Sequence, residues 1–382
     1  MKLQYIIPFC LLFLCIGFSC TQNVSVNVPT DLPLIDTRGL FGKNEGELSF
    51  ISKINSVEYI PLKTNIQIQL ARGLDASKEH LYLSFSHYEG KQMFDRQGNY
   101  EKEVASYYSG EATPLSTFLN ESANQIYHYG YSQTKVYDSN DGTYLGEIQD
   151  LYPLPPQTIV FPLEEGRFLV FELFDKPFRD MQYIGATIYD DKGNTLLKID
   201  ELNPFQNEPN REWANEVTSL CAIIPDGYLF MTHLPWAPYQ IIYKATKDEI
   251  KPVFYFVTDR NLYMGSHLNV IESSLYFVLL EKQNWNYSMV EYNINTGDFN
   301  VVSPHTPYAI YSWGGGAPNK ADNGYPIYGT KHYPLRRELV DIIYQKNVIS
   351  HFELTPGAKE KAPEILQNMT KPGSAVIAIY HY

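Results

Sequence analysis

Cysteine is almost missing from the body of this chain. Of four in 382 residues, three fall at Cys10, Cys15 and Cys20, and the fourth is Cys221. After Cys20 no internal disulfide can form, and the paired-cysteine spacings of zinc modules are excluded. Positive charge is also short: 30 Lys and Arg face 43 Asp and Glu, for a net charge of -13. A surface of that sign repels phosphates, so nucleic acid is excluded as a ligand. Methionine is scarce at 7, against 31 Tyr and 20 Phe. Aromatics suit a half-buried pleated surface, so the composition points to an all-β fold.

The motifs of several chemistries are absent as well. There is no H-E-x-x-H pair and no His-x-His, and His87, His128, His233 and His267 read as ordinary strand or loop residues. Gly314-Gly315-Gly316 with Lys320 has the wrong spacing for a phosphate loop, and no G-x-S-x-G elbow occurs. Asp138 to Gly142 lacks the later Glu of a calcium loop and reads as a turn. Neither a metal nor a cofactor is expected.

A long hydrophobic run occurs at the start, from Leu3 through Phe18 behind the single charge of Lys2. It is too short for a transmembrane anchor and reads as an export signal. It ends at Gly17-Phe18-Ser19-Cys20, which resembles a bacterial lipobox without the usual aliphatic residue three places before the Cys. The expectation is a signal peptide over 1–19, lipidation at Cys20, a tether over 20–47 and a folded body over 48–382. That body would sit in the cell envelope, periplasmic or on the outer membrane, and touch membrane only through its lipid.

What the chain has in plenty is a repeated strand pattern. Gln125 to Ile148 reads as strand, loop, strand, Asp/Gly turn, strand, with Asp138-Ser139-Asn140-Asp141-Gly142 supplying the tight connection. Similar units end at the turns Asp95 to Asn99, Asp190 to Asn194, Ala245 to Glu249 and Asn295 to Asp298. A period of roughly fifty residues with four strands per copy is the signature of a β-propeller. In the sixth copy, Tyr308 to Trp313 and Tyr325 to Gly329 read as strands, Leu335 to Gln345 shows helical spacing, and a second amphipathic stretch lies near Ala362 to Met369. Ala375 to Tyr380 reads as a strand that pairs with Val57 to Leu62. The predicted fold is a six-bladed propeller of four-stranded antiparallel blades, closed by N- and C-terminal strands, with short C-terminal helices.

At Val57-Glu58-Tyr59-Ile60-Pro61-Leu62, and from Asp322-Asn323-Gly324-Tyr325-Pro326 into the final strand, the chain resembles the six-bladed β-propeller lipoproteins of Gram-negative gut bacteria. Where such proteins carry a G-x-G-P-G-E-Y loop, this chain has Tyr107-Tyr108-Ser109-Gly110-Glu111-Ala112 and keeps the Gly-Glu pair alone. The resemblance implies a fold, a compartment and genes near glycan-uptake systems, and no catalytic set.

Meander topology sorts the connections. Loops joining second to third strands hold Tyr88, Tyr131, Arg179, Trp236 and Trp285; segments between blades hold Trp213 and Arg260. Both groups are expected on one face, where aromatic planes beside charged groups suit a glycan, a peptide or an envelope protein. Packing against a neighbouring blade is the competing explanation for each aromatic. A binding or scaffold protein is the first functional reading. The alternative is a hydrolase or lyase whose inner-strand residues Arg72, Thr158, His267 and Tyr311 converge on the central channel. A third is an assembly subunit recognised through the C-terminal helices.

Overall fold

The computed structural model describes residues 31–43, 45–64, 68, 71–85, 91–104, 116–120, 123–129, 134–154, 159–175, 182–199, 202, 221–231, 239–259, 261–264, 268–281, 286–303, 327 and 331–382. Its first elements are β1 (Leu34–Asp36), a 3₁₀ turn at Ser49–Lys53 and β2 (Ser56–Pro61). Blade one is β3 (Ala71–Ala76), β4 (His80–Phe85), β5 (Lys91–Asp95) and β6 (Tyr100–Val104). Blade two is β7 (Ser116–Asn120), β8 (Gln125–Tyr129), β9 (Thr134–Asp138) and β10 (Tyr144–Glu147), followed by a helical turn, α1 (Ile148–Leu151). Blade three is β11 (Ile159–Pro162), β12 (Phe168–Asp175), β13 (Gln182–Tyr189) and β14 (Thr195–Ile199). Blade four is β15 (Cys221–Ile224), β16 (Gly227–Met231), β17 (Tyr239–Thr246) and β18 (Ile250–Val257).

Blade five begins with an inner strand in two pieces, β19 (Leu262–Met264) and β20 (Asn269–Ile271), both paired with β21 (Ser274–Glu281); β22 (Tyr287–Asn293) and β23 (Phe299–Val302) follow. Blade six is β24 (Lys331–Tyr333), β25 (Glu338–Tyr344), β26 (Ala375–His381) and, returning from the start of the chain, β2. Between β25 and β26 lie α2 (Gln345–Leu354), α3 (Ala358–Lys361) and α4 (Glu364–Gln367). The six sheets form a ring, and the expected propeller is the observed fold.

Closure takes the expected form. β2 pairs antiparallel with β26, with Val57 opposite Tyr380 and Ile60 opposite Ile377, and β26 pairs with β25 on its other side. The helical reading of Leu335 to Gln345 is overturned. Tyr333 to Arg337 makes a turn, Glu338–Tyr344 is a strand, and helix starts at Gln345. This strand lies between two others and is buried on both faces except at Ile342. A strand covered on both faces is apolar at nearly every position, and such a run mimics helical spacing. The strands expected at Tyr308 to Trp313 and Tyr325 to Gly329 lie outside the described residues, apart from Ile327.

Hydrogen-bonded structure also reaches into the stretch assigned to the tether. β1 adds in parallel to the outer edge of blade four, Ile35 opposite Phe256, and Glu45 bridges Val301 on blade five. Ile35 is fully buried there, which gives this short strand its apolar anchor.

The fourth strand of each blade is the outer one. β6 and β14 expose most of their residues and β10 half of them, whereas first strands of neighbouring blades approach one another, as β3 does β7 and β15 does β20. The apolar cores are wedges between blades. One joins blades five and six around Tyr276, Leu339 and Tyr380, another joins six and one around Ile377, Leu83 and Phe94, and a third joins four and five around Phe256 and Phe277.

Tyrosine works in these wedges in two ways. Its ring fills the gap, and its hydroxyl satisfies a backbone group of the adjoining blade, as buried phenols require. Tyr82 donates to the Ser139 carbonyl, Tyr228 to the Pro162 carbonyl at 2.7 Å, and Tyr243 to the Leu202 carbonyl at 2.6 Å. Tyr333 accepts from the Ala76 N–H at 2.7 Å.

The Asp/Gly turns are part of the same seams. A Cβ at Gly98 would stand 2.2 Å from the Pro61 carbonyl oxygen, one at Gly142 would stand 1.9 Å from Val104, and one at Gly193 would stand 2.6 Å from Pro153. In each case the turn between third and fourth strands packs on the end of the preceding blade's outer strand, or on the residues just beyond it. Blade twist, which rotates the outer strand away from the inner one, brings these two parts together.

Candidate functional site

The residues that sequence assigned to a ligand face, Tyr88, Tyr131, Arg179, Trp213, Trp236, Arg260 and Trp285, lie outside the described residues, as do His267, Tyr311 and Cys20. Arg72 is placed on β3, the inner strand of blade one, at a register irregularity between Ala71 and Gly73. The strand ends on either side of those loops are described. Tyr88, Tyr131, Arg179, Trp236 and Trp285 belong to loops that leave between the paired ends of second and third strands. The inter-blade segments with Trp213 and Arg260 join strand ends on that same side: Val257 ends β18 opposite Tyr239, which starts β17, and Leu262 starts β19 opposite Glu281, which ends β21.

Beneath those loops the strand ends are polar and buried. Lys91 and Gln92 open β5, Thr134 opens β9 opposite the buried His128 region of β8, Gln240 lies near the start of β17 and Ser288 near the start of β22. Sequence reading passed over them because a polar residue in an alternating strand reads as solvent-facing. A polar pair such as Lys91-Gln92 set directly before Met93-Phe94 was the available signal.

Lys91 is the centre of one cluster. Its residue is 1% exposed, its Nζ stands 3.6 Å from Asp75 Oδ2, and it lies 6.0 Å from the Tyr82 ring. Tyr333 of blade six approaches the same Asp75, with its hydroxyl 3.5 Å from Oδ1. Burial, followed by the charges of Lys91 and Lys135, pushes His128 well below the usual imidazole range. The imidazole is therefore neutral at pH 7. A charge so deeply placed persists only where partners compensate it.

A second cluster surrounds Glu291. Ser49 donates its N–H at 2.6 Å to Oε2 and its hydroxyl at 2.5 Å to Oε1; Ser274 and Tyr276 reach Oε1 at 2.8 and 3.0 Å, and Asn300 reaches Oε2 at 3.2 Å. Burial acts to raise this pKa, but the bonds from Ser49, Ser274 and Asn300 outweigh it and hold the carboxyl below its ordinary value. A serine beside a carboxylate suggests catalysis at first sight. Here both carboxylate oxygens are saturated, and the arrangement clamps the 3₁₀ turn onto blade five. Glu291→Gln should lose roughly 2–3 kcal/mol at pH 7 by chemical denaturation. Because the folded pKa is lowered, this contribution is present above the ordinary carboxyl pKa and fades as pH falls below it, so the variant and the parent should converge in acid.

A groove of about 650 Å³ lies at the rim of the closing blade, with Leu62, Ile365 and Met369 among its apolar walls and Glu364 and Lys371 bringing one charge of each sign. Among the described residues no group of three or more His, Cys, Asp or Glu is placed to hold a metal ion, and no helix is long and apolar enough to cross a membrane.

No protein-family model matches the chain, and no curated protein does. Among solved structures, a Bacteroides fragilis protein assigned as exported matches with a TM-score of 0.54 and 13% identity, over 86% of this chain and 95% of its own. The nidogen/laminin complex matches with a TM-score of 0.39 and 14% identity over 63% and 82%. The WD40 domain of SCAP from fission yeast does so with 0.36 and 8% over 69% and 58%. The first of these likenesses is one of fold.

Proposed function

We propose that this propeller is an exported, lipid-anchored binding protein without catalytic chemistry, holding a glycan, a peptide or an envelope protein on the second-to-third-strand loops. The observation that carries this reading is the different use of the two sets of connections. The turns at Gly98, Gly142 and Gly193 are consumed by packing between blades, and the turn at Tyr333 to Arg337 is bonded to blade one through Ala76. The loops at the opposite strand ends carry Tyr88, Tyr131, Arg179, Trp236 and Trp285 in sequence. An aromatic plane with a guanidinium nearby offers stacking area and directed hydrogen bonds. The export assignment of the Bacteroides fragilis protein agrees with the compartment that the first twenty residues imply.

The test uses the full chain, extracted from membranes in mild detergent, on an array of oligosaccharides and peptides. Trp236→Ala and Trp285→Ala should each weaken capture by about 30-fold, the size of a binding hot spot, while the melt stays unchanged. Capture at parental strength by both variants would remove the aromatic loops from the reading. New reducing ends or double bonds in the captured glycans would instead support a hydrolase or lyase. Lipid attachment is checked separately: labelled palmitate should enter the parent and be absent from Cys20→Ala.

A further inference from the structure

We propose that the contact between His332 and Tyr382 is an acid-sensitive latch on the closing blade, one that loosens blade six when the imidazole takes up a second proton. His332 lies in the middle of β24, and its residue is 4% exposed. Its Nε2 stands 2.5 Å from the Tyr382 hydroxyl, and its Nδ1 is buried with no hydrogen-bond partner. In the neutral ring protonated at Nε2, that N–H donates to the Tyr382 oxygen and no buried N–H lacks an acceptor. An imidazolium adds a second N–H at Nδ1, where no acceptor stands, together with a buried positive charge.

Tyr382 is tied to more than the imidazole. It follows directly on β26, donates its N–H to the Arg337 carbonyl at 3.1 Å and lies under the Arg337 guanidinium at 5.3 Å. Arg337 is 3.5 Å from Glu272 of blade five, and Glu272 is 2.5 Å from Lys53 of the 3₁₀ turn. Losing the His332 contact therefore weakens the grip on the inner strand, the turn ahead of β25 and the neighbouring blade together.

Among the described residues, the charged and titratable groups on the elements around His332 are Tyr382, Arg337, Glu272, Lys53, Arg336 and Glu338 with His381, the buried Asp341 on β25 and Tyr380 on β26, and Cys221 on β15, which passes close to β24. Glu272 is engaged by Lys53 and Glu338 by Arg336 at 2.9 Å, and burial is the one cause that shifts His332, with no contribution from Asp341. Burial lowers the His332 pKa to about 4. The stabilisation is complete above the unfolded imidazole pKa of about 6.5, falls as pH drops from there to about 4, and changes no further below that.

The test is hydrogen exchange of the full chain at pH 7 and pH 5, corrected for the chemical exchange rate. From the two pKa values, the opening equilibrium of β24 and β26 should rise about 20-fold, while β12 and β13 stay flat. His332→Gln keeps an amide that can hydrogen-bond Tyr382 and cannot protonate, so its β26 should lose this rise. Tyr382→Phe, a milder change, should open blade six more readily at pH 7. Local readout separates this from His128, whose own response would appear in β8. A wild-type β26 that is equally protected at both pH values overturns the latch, as does an undiminished rise in His332→Gln or unchanged neutral exchange in Tyr382→Phe.

Discussion

A chain ending after Thr370 is expected to show no cooperative thermal transition. The deleted part contains β26, which is hydrogen-bonded to β25 on one side and to β2 on the other. Ala375 through Tyr380 are each no more than 2% exposed, and their side chains reach two of the inter-blade wedges. Burying a Val, Ile or large aromatic side chain contributes about 1.5–3 kcal/mol, so Val376, Ile377, Ile379 and Tyr380 alone represent roughly 6–12 kcal/mol. A whole domain has about 5–15 kcal/mol to lose. The cut also leaves β2 without a partner and the ring with two open edges, which invite aggregation. The check is a melt followed by circular dichroism, with limited proteolysis alongside. A truncated chain that melts sharply within a few degrees of the parent would mean that the ring does not depend on this closure.

That strand pair was legible in the sequence because both partners carry their own evidence: Val57 to Pro61 alternates as an outer strand, and Ala375 to Tyr380 is a short apolar β-branched run at the expected place. Four of the blades were legible for a similar reason, since Asp/Asn and Gly turns punctuate them at a recurring interval. Blade six misled because β25 is buried on both faces, and periodicity carries no information about a strand that lacks a wet side. The division of blade five's inner strand into β19 and β20 was missed because Asp259, Arg260 and Tyr263 resemble loop residues, although Leu262 and Met264 are buried.

The candidate site was legible only as topology. Sequence shows which connections share an end of the sheets, but it cannot show which polar side chains lie inside. Lys91, His128 and Glu291 look exposed in an alternating pattern, and all three are buried. Ser49 meets Glu291 across 242 positions, a separation that no local pattern can report.

Replacing Gly98 with Ala is expected to cost about 3–4 kcal/mol, and the same change at Gly297 only about 1 kcal/mol. Both glycines hold a left-handed backbone in the turn before an outer strand, with φ of 77° and 78°. Conformation alone therefore predicts equal effects, about 1 kcal/mol for an L side chain in this region. Their surroundings differ. An added Cβ at Gly297 meets nothing within 4 Å, but at Gly98 it meets the Pro61 carbonyl oxygen at 2.2 Å and Ile60 at 3.0 Å. The carbonyl belongs to backbone and cannot rotate away. Gly98 also lies inside a short parallel contact in which Lys63 donates its N–H to the Gly98 carbonyl at 2.7 Å. Relief would require blade one to shift from the closing blade, with loss of packing between Ile60, Phe94 and Ile377. Equilibrium denaturation of the two variants measures the difference directly. Equal losses would reduce the Asp/Gly turns to local punctuation, whereas a gap of about 2 kcal/mol or more would establish that these glycines permit one blade to seat against the next.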